Sequence, residues 1–171
     1  MNTVLLILTL FFVLRLFTLF ISISNESRLK KEGAIEFGKA NSAILTLLHI
    51  IFYATSAYEA WLDKVQLDKI GYIGIALFIF AYIMLLFVIY QLRHVWTVKL
   101  YIAKKHDINR SFLFRYVKHP NYFLNIIPEL IGVGMLCHSW VAMLIILPLY
   151  LISLFVRIKQ EEKAMKHIFE S

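Results

Sequence analysis

The stretch "RYVKHPNYFLNIIPEL", Arg115 to Leu130, decides the fold, because a basic segment turns there into an apolar run that carries Glu129 inside it. The run continues to Leu136, turns through about three residues (Cys137, His138, Ser139), and returns as a second apolar block from Trp140 to Val156. That block ends in "RIKQEE", residues 157–162. Two apolar blocks joined by so short a turn predict an antiparallel helical hairpin. The first helix of a hairpin starts beside the end of the second, so His119 and the Arg157–Glu162 segment are expected to be neighbours.

Three further apolar blocks precede the hairpin, at about Thr3–Ile23, Ala43–Leu62 and Ile70–Leu92. Each is close to the 20 or so residues a helix needs to cross a bilayer, whereas the hairpin blocks, roughly 15 and 17 residues, sit at or below that limit. Of 171 residues, 60% are hydrophobic and 17% charged, a poor balance for a soluble domain. The expectation is an all-α integral membrane protein of one domain, residues 1–171. Three N-terminal transmembrane helices would occupy residues 1–92, and residues 93–171 would hold a loop, the hairpin and a tail. The first block lacks a basic leader and is too long for a signal-peptide core, so it reads as a retained helix.

The net charge of +7 is explained by topology. Fifteen of the eighteen Lys and Arg fall in the loops after the first and third blocks and in the C-terminal tail; two fall on the opposite face, and Arg15 lies within the first block. The positive-inside rule then puts the N-terminus outside and the C-terminus in the cytoplasm, and no nucleic acid is needed as a partner. Gly132 and Gly134 near the turn would let helices approach closely. One cysteine, Cys137, excludes an internal disulfide, and the six histidines show no metal-ligand spacing.

The chemistry concentrates on the cytoplasmic side. Pro120 suits a first helical turn, which leaves His119 at the cap, with outward N–H groups and the positive end of the helix dipole suited to an anion. Across the hairpin, Arg157 can grip an anion, while Glu161 and Glu162 can hold an ammonium. Tyr116 and Tyr122 offer ring faces to a cation or a base. These parts match S-adenosylmethionine, although a nucleotide or a lipid head group would use the same ones. Glu129 lies nine residues past Pro120, ~13 Å deeper at about 1.5 Å per residue. A carboxylate at that depth needs a partner or a function; Arg15 and Asn125 are the candidate partners. Glu129 is a candidate for orienting or deprotonating an acceptor, with Arg15 beside it.

"RYVKHPNYFLNIIPEL", the glycine-bearing helix, the short turn and "RIKQEE" together resemble the isoprenylcysteine carboxyl methyltransferase family in its bacterial form, over about residues 93–165. Lys118 stands where the family motif usually has Arg. The resemblance implies a membrane enzyme that binds S-adenosylmethionine at the cytoplasmic face through His119, Pro120, Tyr122, Arg157, Glu161 and Glu162. It implies a lipophilic acceptor entering from the bilayer, O-methylated at a carboxylate, as in prenylated cysteine, or at an enol, as in alkylpyrones. It also implies a bacterial plasma membrane location. Phospholipid N-methylation, or a non-catalytic transport or accessory role, is the alternative.

Overall fold

The computed structural model describes residues 3–102 and 119–169, with side chains to residue 101 in the first segment and to 164 in the second. Tyr116 and Lys118 lie outside the described residues. Among the described residues, five helices form the bundle: α1 Thr3–Lys31, α2 Lys39–Leu62, α3 Lys69–Leu92, α4 and α5. Helix α4 comprises a π turn, Asn121–Ile126, continued by α-helix over Ile127–Cys137; α5 comprises a second π turn, Ala142–Ile146, continued over Leu147–Phe169. Helices α1, α2, α3 and α5 are long and apolar enough to cross a membrane; α4 is shorter.

Both π turns have the same cause. Pro128 and Pro148 each remove an N–H from the ladder and crowd the carbonyl four residues back. The chain widens just before each proline: Ile127 N–H reaches Tyr122 O and Leu147 N–H reaches Ala142 O, both five residues back.

Local chemistry sets the ends of the helices. At the end of α1, Gly33 takes φ +81°, and the Ala34 and Gly33 N–H groups return to the carbonyls of Leu29 and Lys30, a Schellman closure. Asp68 caps α3 by accepting from Gly71 N–H at 2.8 Å. Glu59 of α2 caps α5, its carboxylate accepting from Val141 and Ala142 N–H at 3.0 Å each.

The hairpin is looser than its short turn predicts. Helix α4 lies chiefly on α3, and α5 lies chiefly on α2. The reason is Gly132, which faces α3 and not α5: a Cβ on it would sit 2.7 Å from Gly74 O, and one on Gly74 would sit 2.5 Å from Gly132 O. Only Gly134 faces the other leg, against Met143. Inside the bundle, Phe11 stacks on Phe78 at 3.5 Å between centroids, with Phe52, Leu130 and Leu136 buried nearby. Outward, Phe17, Phe20, Leu144 and Ile152 are exposed, as a surface solvated by lipid requires. Tyr58, Trp61, Tyr72 and Trp140 are exposed toward the end of the bundle that holds the α2–α3 and α4–α5 turns, where amphipathic rings meet head groups.

Helix α1 runs eight residues past the apolar block that predicts it, to Lys31. Its polar extension is bonded to the chain after α3. Asn25 donates to the carbonyls of Arg93 (3.1 Å) and Trp96 (2.8 Å), and Ser22 Oγ accepts from Val98 N–H at 2.9 Å. A short antiparallel ribbon, β1 Ile35–Phe37 with β2 Leu100–Ile102, pairs Glu36 with Tyr101 and ties the α1–α2 loop to the chain leaving α3. This ribbon is absent from the all-α expectation.

Candidate functional site

The two ends of the hairpin meet. The His119 carbonyl accepts the first helical bonds from Tyr122 and Phe123 at 3.1 and 3.2 Å, so His119 is the cap residue and Pro120 opens the helix. Because Tyr122 N–H is used in this way, the terminus offers fewer outward amides than a capping position predicts. The His119 ring lies nearly parallel to Tyr122, with centroids 5.8 Å apart and 20° between planes. Its Nδ1 is 3.1 Å from Glu161 Oε2, and Tyr122 OH donates to Glu161 Oε1. Its Nε2 is 3.9 Å from Glu162 Oε1 and is buried without a hydrogen-bond partner among the described residues.

Arg157 occupies an unexpected place. It is 2% exposed, and its donors go to Ser42 Oγ (2.7 Å), Val98 O (3.2 Å) and Tyr122 OH (3.4 Å), with Glu161 Oε1 at 3.4 Å. It locks α2, α4 and the chain after α3 onto α5 and does not line the cavity that opens beside it.

That cavity has a volume of about 210 Å³. One wall is His119, Pro120, Asn121 and Tyr122, with Glu161 from α5; the other is the end of α3 and residues 95–101. No sequence pattern announces the second wall. Trp96, Lys99 and Tyr101 line it, and each is placed by α1: Lys99 Nζ is 3.1 Å from Glu26 Oε2, and Tyr101 OH reaches the same oxygen at 3.5 Å. The hydrogen bond to Glu26 holds the Lys99 ammonium above its ordinary value of 10.5. Ser22, Asn25 and Glu26, where the apolar part of α1 gives way to polar residues, were the available signal, but their partners lie some 70 residues away.

Deeper in the bundle, Glu129 is 1% exposed. Arg15 donates to both of its oxygens, Tyr53 OH donates to Oε1 at 2.7 Å, and His49 Nε2 is 3.7 Å from Oε1. Of the two expected partners, Arg15 is the real one. Asn125, also buried, donates instead to Asn121 Oδ1 at 3.0 Å, one turn back toward the start of the helix. Neither Glu129 nor Arg15 lines the cavity at the hairpin mouth.

The arrangement can hold a zwitterion at Glu161, His119 and Lys99, and a flat apolar group against the α3 end. The family model described as isoprenylcysteine carboxyl methyltransferase matches residues 74–167. An uncharacterized protein of Haemophilus influenzae is 51% identical over 156 residues, covering 91% of each chain. The uncharacterized protein YpbQ of Bacillus subtilis is 29% identical over 143 residues, covering 83% of this chain and 84% of its own. No solved structure matches. With more than half its length matched by the model, α3 through α5 included, the chain belongs to the isoprenylcysteine carboxyl methyltransferase family of integral membrane methyltransferases.

Proposed function

We propose that the protein transfers a methyl group from S-adenosylmethionine, bound at the hairpin mouth on the cytoplasmic side, to the oxygen of a lipophilic acceptor that enters from the bilayer. The observation that carries this reading is the junction of His119, Tyr122 and Glu161 beside the cavity, formed by residues about forty positions apart. The residues present fit such a donor. Glu161 can take its ammonium, Lys99 and Asn121 can take its carboxylate, the buried indole N–H of Trp96 awaits an acceptor, and His119 Nε2 is unpartnered among the described residues. When bound, the donor supplies an electrophilic methyl group on a sulfonium.

The chain's own contribution is placement. Arg157 and Tyr122 fix Glu161, so the ammonium site is set before any ligand arrives and little is lost to reorganisation. Glu162 remains within reach of His119 Nε2 and Lys159 Nζ and adds negative charge at the same edge. On the acceptor side, Glu129 is committed to Arg15 and Tyr53, which suits it to orienting Arg15 and leaves it poorly placed to take a proton. Arg15, 17% exposed, then supplies positive charge to an acceptor that arrives as a carboxylate or enolate. Such an acceptor needs no general base, which favours O-methylation over N-methylation.

A transport role would use polar residues at several depths, and the bundle has them: Arg15, His49 and Glu129 in the middle, Asp68 and His138 at the far end. The middle group is closed, with Glu129 buried and held by three side chains, so it forms a lock and not a path. The test is methyl transfer in vesicles containing the purified protein, with S-adenosylmethionine labelled in its methyl group. We expect label in extracted lipid, released by mild base if the product is an ester and by acid if it is an enol ether. Label resistant to both would indicate N-methylation, and no label in any lipid supplied would speak for the transport reading.

A further inference from the structure

Trp96 is 3% exposed, and its indole N–H has no hydrogen-bond partner among the described residues. Buried indole N–H groups usually find one, and an unmet buried donor costs about 1–3 kcal/mol. The environment explains the orphan. The residue packs with Leu85 and Val88 of α3, with Ile21, Tyr82, Ile89 and Leu92 beside them; the one hydroxyl among these, that of Tyr82, is bonded to Leu14 O at 3.4 Å. The placement is nevertheless held firmly, because Asn25 binds the Trp96 carbonyl at 2.8 Å and Ser22 anchors Val98 two residues on. A bonding network that secures the backbone and leaves the side-chain donor unmet is the pattern of a ligand site.

Trp96 also lines the cavity, together with Val88 and Leu92 against which it packs, while His119 and Glu161 line it from the hairpin. The two groups differ in chemistry: one is charged, the other apolar with a single N–H donor. Given the methyltransferase reading above, on which this inference rests, we infer that Trp96 recognises the adenine of the methyl donor by donating its indole N–H to a ring nitrogen of the base. The apolar neighbours cover the faces of the base, and the charged group holds the amino-acid part.

The test uses the protein's three tryptophans, Trp61, Trp96 and Trp140. In the Trp61→Phe/Trp140→Phe variant, Trp96 is the only emitter. Its fluorescence should change on titration with S-adenosylhomocysteine, with a midpoint equal to that measured by calorimetry. Trp96→Phe keeps the ring and removes the donor, so it should weaken S-adenosylhomocysteine and free adenosine by the same factor, about tenfold. Glu161→Gln should weaken S-adenosylhomocysteine and leave adenosine unchanged. If the Trp61→Phe/Trp140→Phe variant binds S-adenosylhomocysteine while its Trp96 emission stays constant, or if Trp96→Phe binds as tightly as wild type, the inference is wrong and the methyltransferase reading stands. A Trp96→Phe loss seen with S-adenosylhomocysteine but not with adenosine overturns the assignment to the base. Folded wild-type protein that binds neither ligand overturns both readings. Should Trp96→Phe fail to fold, the emission titration decides alone.

Discussion

The hairpin carries two clusters built from the same four residue types. At its mouth, Glu161 meets His119, Tyr122 and Arg157; at mid-bundle, Glu129 meets His49, Tyr53 and Arg15. In each, a tyrosine hydroxyl donates to the carboxylate, a histidine stands near it and an arginine balances it. They differ in which member is spent. In the deep cluster the acid itself is saturated, and the arginine retains some exposure. At the mouth the arginine is buried and bonded through all three nitrogens to Ser42, Val98 and Tyr122, while the acid borders a cavity and the histidine keeps an unmet nitrogen among the described residues. A polar cluster with all its bonding satisfied fixes helices; one with unmet bonding is where a ligand completes the structure.

The comparison breaks most visibly at Glu129. Glu129→Ala leaves Arg15 without its acid inside the bundle, a loss of about 3–5 kcal/mol, and should lower the thermal midpoint and the yield of folded protein sharply. Glu129→Gln keeps two hydrogen-bonding atoms, so folded protein should survive with S-adenosylhomocysteine affinity within about twofold and turnover reduced. Equal loss of affinity and turnover would mean the deep cluster serves the donor and not the acceptor.

Next in size is Gly74→Ala. The added methyl would meet Gly132 O at 2.5 Å, where only a shift of α4 away from α3 can relieve the clash. That should cost about 1–3 kcal/mol, measurable as a lower unfolding midpoint. Because α4 carries both His119 and Glu129, donor affinity and turnover should fall together, unlike in Glu129→Gln.

At the mouth, His119→Ala and Glu161→Gln should weaken S-adenosylhomocysteine by about tenfold to a hundredfold, with the unfolding midpoint moved far less than in Glu129→Ala. The smallest effect concerns Lys99. Its ammonium is held above 10.5 by Glu26, so the bridge stabilises the fold at pH below that value and is lost as pH rises through the raised one. The wild-type midpoint should drop modestly over that alkaline range, and Lys99→Met should lack this part of the drop.

Sequence patterns reveal some of this organisation and hide the rest. Five apolar blocks became five helices, since length and hydropathy are local properties. The Arg15–Glu129 pair was legible because opposite charges set in apolar segments need each other wherever they lie. The meeting of His119 and Glu161 followed from hairpin geometry. Hidden features depended on distant partners or on small backbone shifts. The Ile35–Phe37 ribbon is too short to show a strand pattern, and Trp96 gains its place from Asn25 across the bundle. Asn125 is taken by Asn121 and not by Glu129, and the α4–α5 gap exists because Gly132 prefers Gly74. Arg157 read as an anion ligand because its three acceptors come from α2, α4 and the chain after α3, all remote in sequence.

The measurement closest to the central claim is calorimetric titration of the folded protein in lipid nanodiscs with S-adenosylhomocysteine. One saturable site per chain is expected, weakened about tenfold to a hundredfold in Glu161→Gln and preserved in Glu129→Gln. Absence of heat up to millimolar ligand, or equal binding by the Glu161 variant, would contradict it.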